Sequence, residues 1–133
     1  MNRQSAILNT NKPKPKPMFL QLNHQKLDVF AIAKSFTLEC YRFTKLLPSD
    51  ERFNIVQQIR RAALSVCLNI AEGASRKSAA ERKRYYEVAR GSIIEIDAAL
   101  DISAELKYCS KENLQSLGSF MQRTFSMLSK MLA

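Results

Sequence analysis

Residues 58–73 read Gln-Ile-Arg-Arg-Ala-Ala-Leu-Ser-Val-Cys-Leu-Asn-Ile-Ala-Glu-Gly, an almost continuously apolar helical stretch interrupted by a few polar groups. Arg61, Ser65, Asn69, Glu72 and, just beyond, Arg76 recur at steps of four, four, three and four. That spacing places them in one polar line along a helix whose other faces are apolar. A surface helix has no use for apolar residues on both sides of its polar line, so this one reads as enclosed by protein, some of it from other copies of the chain.

Working outward, the rest of the sequence is also helical. Prolines are few and three of the four (Pro13, Pro15, Pro17) stand together near the N-terminus, while Leu, Ala, Glu, Lys, Arg, Ile, Ser and Met dominate the remainder. At 133 residues the chain suits one domain with a real core. A first helix is predicted over 27–46, with Phe30, Ala33, Phe36, Cys40, Phe43 and Leu47 on one stripe and Pro48 ending it. Ser49 is placed to cap a second helix, with Asp50 and Glu51 in its first turn and Gly73 as its stop. Ser78-Ala-Ala-Glu81 has the form of a capping box opening a third helix, whose stripe is Tyr85, Ala89, Ile93, Ile96, Leu100, Ser103 and Leu106. Ser110 caps the fourth, with Leu114, Leu117, Met121, Phe125, Leu128 and Leu132 on its stripe. Short connections make neighbours antiparallel, so the expected fold is all-α, an up-down-up-down four-helix bundle over 23–133. Mid-helix Gly91 predicts a close approach by a neighbouring helix, since glycine there costs about 1 kcal/mol relative to alanine.

The formal charge is +9, of which +5 comes from Arg3, Lys12, Lys14, Lys16 and Lys26 in a stretch without acids. Lys-Pro-Lys-Pro-Lys-Pro at 12–17 favours extended polyproline II, so residues 1–22 read as an exposed basic arm, an electrostatic contact for nucleic acid or simply a leader. Cys40, Cys67 and Cys109 are far apart and set among apolar residues, which suggests free thiols in a reducing compartment. Without an apolar run of membrane length or a signal-peptide core, a cytoplasmic protein is expected.

The residues quoted above also resemble a known family. Arg60-Arg61-Ala62-Ala63, Ser65, Asn69-Ile70-Ala71-Glu72-Gly73 and Arg76, followed by Ala89-Arg90-Gly91-Ser92 with Glu95, are similar to the motifs of small four-helix-bundle proteins known from intervening sequences of bacterial 23S ribosomal RNA genes. Lys107-Tyr108 stands where that family usually has a Gly-Tyr turn, and Cys67-Leu68 where it commonly has proline or small polar residues. The likeness covers roughly Leu27 to Ala133. It implies a ring-like homopentamer. It also implies kinship with accessory proteins of diversity-generating retroelements, which bind the element's reverse transcriptase and its RNA.

Two groups of residues are candidate sites. Arg60, Arg61, Ser65, Asn69 and Glu72 on the second helix, with Ser92 and Glu95 on the third, can form a polar network that sets register between helices or subunits. Glu72 and Glu95 could also act as paired carboxylates, although pairing with Arg60 or Arg61 is the commoner fate. Arg76, Lys77, Arg82, Lys83 and Arg84, with Tyr85, Tyr86 and Arg90, form the folded part's candidate contact for RNA or DNA, joined by Lys12, Lys14 and Lys16 of the arm. The alternative is a solvated end, salt-bridged to a neighbour's acidic residues. Acids Glu95, Asp97, Asp101 and Glu105 fill the other half of the third helix, against the preference of the helix dipole.

Catalytic signatures are lacking in the sequence. His24 is the single histidine, so a di-iron site built on Glu-x-x-His pairs is excluded, and there is no P-loop, dinucleotide fingerprint or nucleophile elbow. The expectation is a non-enzymatic, cofactor-free oligomer that contacts RNA, DNA or a reverse transcriptase and no membrane. The alternative is a structural interaction module without nucleic-acid contact.

Overall fold

The computed structural model describes residues 17–133 and contains four α-helices, with no strand among the described residues. They are α1 (Asp28–Thr44), α2 (Ile55–Ala74), α3 (Ala79–Glu105) and α4 (Gln115–Leu132), with single 3-10 turns at Asn23–Lys26, Ser49–Glu51 and Lys111–Leu114. The lysines Lys12, Lys14 and Lys16 of the expected arm lie outside the described residues.

Each helix buries one stripe. Phe36 and Cys40 of α1, Ile59, Val66 and Ile70 of α2, Ile93 and Ile96 of α3 and Leu128 of α4 form one core. Helix α1 packs on α2 and α4, and α3 packs on α2 and α4, which makes a four-helix bundle. Two of the hydroxyls inside it are satisfied along their own helices: Ser103 donates to the Ala99 carbonyl at 2.8 Å and Thr124 to that of Phe120 at 2.7 Å.

The helix ends depart from expectation in instructive places. Ser49 does not cap α2. Residues Ser49–Glu51 form a separate 3-10 turn, and α2 begins only at Ile55 after Asn54 with φ −129° and ψ −97°. This turn is tied to the chain after α3, where Tyr108 donates its hydroxyl to Glu51 Oε2 at 2.7 Å. Nor does Gly73 stop α2, which continues to Ala74; Gly73 is buried inside the last turn. Ser78 does cap α3, accepting from the Glu81 N–H at 3.1 Å. The reciprocal capping box is found instead at Ser110 and Asn113, opening the turn that leads into α4.

Two positions of the expected α3 stripe are corrected. Tyr86 is the buried tyrosine of α3 and Tyr85 is half-buried, while Leu106 is exposed at the helix end. Helix α2 is not enclosed by one chain: Arg61 is exposed, and Leu64 and Leu68 are 43% and 64% exposed. No helix among the described residues is long and apolar enough to cross a membrane.

Candidate polar seam and nucleic-acid interface

Gly73 explains how closely α2 and α3 approach. A Cβ at this position would lie 2.8 Å from Tyr86 Cε1 and 2.9 Å from Tyr85 Cβ, so only glycine lets the tyrosine pair settle against the last turn of α2. Gly91 is different. A Cβ there would meet nothing within 4 Å, so no helix of the same chain accounts for it.

Further along the same seam, the Ser92 hydroxyl donates to Ser65 Oγ at 2.9 Å. Asn69 Nδ2 donates to Ser65 Oγ at 3.0 Å and to the Ser65 carbonyl at 2.8 Å. These three residues make a small hydroxyl–amide network joining α2 to α3. Arg61 and Glu95 stand outside it: both are exposed and neither makes a hydrogen bond or ion pair among the described residues. Arg60 turns toward α1, donating from Nε to Thr44 Oγ1 at 2.8 Å with its guanidinium 4.8 Å from the Tyr41 ring centre. Glu72 pairs with Arg76, whose Nη2 donates to Glu72 Oε2 at 2.5 Å.

The basic end divides into cations used inside the chain and cations left free. Arg76 also donates to the Tyr85 hydroxyl at 2.8 Å, and its guanidinium lies 4.9 Å from that ring's centre. Arg82 folds back to donate to the carbonyls of Arg76 at 3.0 Å and Lys77 at 2.7 Å, satisfying the turn between α2 and α3. Arg90 donates to Ser129 Oγ of α4 at 3.2 Å. Lys77, Lys83 and Arg84 are exposed and make no such bond among the described residues. In the sequence all six look alike because they are close together. Thr44, Tyr41 and Ser129, which decide how Arg60 and Arg90 are used, carry no local signal of that role.

Other reactive groups are quiet. His24 packs edge-on against Phe30, with ring centres 4.6 Å apart. Burial pushes the Cys40 thiol up to about 12, and neighbouring Cys67 and Glu39 add to the rise. Cys67 is raised by burial too, against a hydrogen bond shared with Thr37 that lowers it. All three cysteines are free, with Cys109 only partly covered. Among the described residues no cluster of three His, Cys, Asp or Glu could hold a metal ion.

A helical bundle with a hydroxyl–amide seam between its second and third helices and a basic end beside that seam is the class of protein that fold and site define. The chain belongs to the 23S rRNA-intervening sequence protein family, whose model it matches over residues 25–130. That span reaches into all four helices. No curated protein matches the chain.

Proposed function

We propose that this chain is a non-catalytic, self-associating accessory protein that offers a basic surface to RNA or to an enzyme acting on RNA. The observation that carries the reading is the trio Lys77, Lys83 and Arg84, exposed at one end of the bundle and unspent on internal bonds. They surround the start of α3, where the helix dipole adds positive potential, on a chain of net charge +9. Arg76 stacked on Tyr85 provides a flat cationic face next to them.

The bundle in this reading alternates in direction, supported by the pairing of Gly73 with Tyr86 and of Ser65 with Ser92. Copies assemble in a ring, five in number on the family resemblance, so weak phosphate contacts add through avidity. A reverse transcriptase with its template RNA is the partner that kinship with retroelement accessory proteins suggests.

Triple alanine substitution of Lys77, Lys83 and Arg84 is the test, with single-stranded RNA affinity measured against salt concentration. Removing three phosphate contacts flattens the logarithmic salt slope by about 2. Helix content and assembly mass stay at wild-type values, because none of the three bonds within the fold. An unchanged slope, or no wild-type binding at low salt, overturns the reading. A second reading, a structural oligomer without nucleic-acid contact, is favoured by exposed Leu64, Leu68, Val88, Ile94 and Ile102 on α2 and α3. Wild-type assembly without RNA binding is its signature.

A further inference from the structure

The chain before α1 displays apolar side chains that nothing in its own fold covers. Met18, Phe19, Leu20 and Leu22 are 80%, 90%, 64% and 47% exposed, four large apolar residues within five positions. The backbone is extended at Leu22, and the 3-10 turn that follows is fastened to the end of α2 by Asn23 Nδ2 donating to the Ala74 carbonyl at 3.3 Å. The turn therefore holds this segment at a fixed place and presents it outward.

A receiving site lies elsewhere on the bundle. Between α3 and α4 runs a groove of about 300 Å³ lined by Ile93, Ile94, Asp97, Met121, Gln122 and Phe125. Ile94 is 56% exposed on its wall. The groove continues past Asp101 to Gly118, where a Cβ would meet nothing within 4 Å. We propose that residues 17–22 of one copy dock in the α3–α4 groove of a second copy.

Charge selects this groove. Residues 1–16, which lead directly into the segment, hold Arg3, Lys12, Lys14 and Lys16 and no acid. Asp97 and Asp101, four residues apart on α3, line the groove against a single cation at its far end, Lys111, so the basic stretch meets a mainly acidic wall as the apolar residues enter. The exposed leucines of α2 are flanked by Arg61 and lack such a wall.

Reach assigns the segment to a second copy. Five extended residues span about 17 Å from Leu22. The turn at 23–26 packs on α1 and α2, and α3, a cylinder about 10 Å across with its side chains, stands between α2 and the groove. The turn is tied to Ala74 at the level of Tyr85 on α3, and the groove begins at Ile93, about 12 Å further along that helix. This rise combined with a path of about 16 Å round α3 exceeds the span. The inference rests on the self-association proposed above and goes beyond it by naming the contact.

Disulfide trapping in the full chain, with Cys109→Ser to leave only the two buried native thiols, tests the docking. Phe19→Cys and Gln122→Cys proteins are mixed and oxidised, and the products are identified by mass. A disulfide joining position 19 of one chain to position 122 of another is expected. In parallel, Phe19→Ser with Leu20→Ser raises the half-assembly concentration roughly tenfold or more, from lost apolar burial. The fold is insensitive to this change because both side chains are exposed. Absence of the 19–122 disulfide overturns the docking, as does preferential trapping of Phe19→Cys by Leu68→Cys within one chain. Cosedimentation with anionic phosphatidylserine vesicles that Phe19→Ser abolishes also overturns it, making the segment a membrane contact. If wild type assembles and docking fails, self-association stands; a monomeric wild type removes both.

Discussion

Lys107 holds φ at 66°, the one non-glycine residue among the described residues in the left-handed region. It sits just past the end of α3 in a Schellman arrangement: the Tyr108 N–H reaches the Ser103 carbonyl and the Lys107 N–H the Ala104 carbonyl, both at 3.0 Å. The conformation is imposed by two useful bonds and by Tyr108, which must turn back to reach Glu51. A side chain in this region costs about 1–2 kcal/mol, and glycine returns roughly 0.5–1 kcal/mol of that through its freer unfolded chain. Lys107→Gly is therefore expected to stabilise the protein by about 0.5–1 kcal/mol in urea unfolding, with the slope against urea unchanged. A loss of stability would show that the Lys107 side chain makes a contact worth more than the strain. The lysine is tolerated here at a cost.

At the scale of an element, the fit of α2 against α3 is set at Gly73. Alanine in a helix gains about 1 kcal/mol over glycine, but overpacking costs about 1–3 kcal/mol. The nearer end of that range does not apply, because one of the atoms met at under 3 Å is Tyr85 Cβ, which is anchored to the backbone of α3. Gly73→Ala is expected to destabilise by about 1–2 kcal/mol and to loosen the Tyr86 packing, seen as altered near-ultraviolet tyrosine dichroism. The helices themselves were legible in the sequence because period-3.6 stripes such as Ala33, Phe36, Cys40 and Phe43 depend on neighbours three and four residues away. The start of α2 was not: the turn that precedes it is held by Glu51 meeting Tyr108 across 57 residues, a contact with no local signal. Gly73 is likewise misleading in the sequence: a glycine near a helix end looks like a stop, and only the partner helix shows it to be a close approach. In the candidate site, Ser65, Asn69 and Ser92 of the seam follow from helical spacing, whereas Arg60, Arg61, Glu72 and Glu95, expected with them, stand outside it. Which cations remain free does not follow from spacing, since Thr44 and Ser129 recruit Arg60 and Arg90 from 16 and 39 residues away.

For the molecule as a whole, the outer side of α3 poses the remaining question. Val88, Gly91, Glu95, Ala98 and Ile102 follow one another at steps of three, four, three and four, a coiled-coil spacing, on the side not used by α2 and α4. Val88 and Ile102 are 48% and 55% exposed, and Gly91 has open space where its Cβ would be. In an isolated chain this glycine brings only the helix penalty of about 1 kcal/mol, so Gly91→Ala must stabilise the monomer by about that amount. In the assembly proposed here, Gly91 lets a neighbouring helix come close, and the added methyl group pushes the two copies apart. The same substitution is thus expected to act in opposite directions: greater stability to urea at a concentration where the chain is monomeric, and weaker assembly by light scattering as concentration rises. If stability rises and assembly is untouched, the contact between copies does not cross Gly91 and is confined to surfaces such as the α3–α4 groove. If stability falls even in the monomer, an atom of the same chain approaches Gly91 in solution and the open space is filled without any partner.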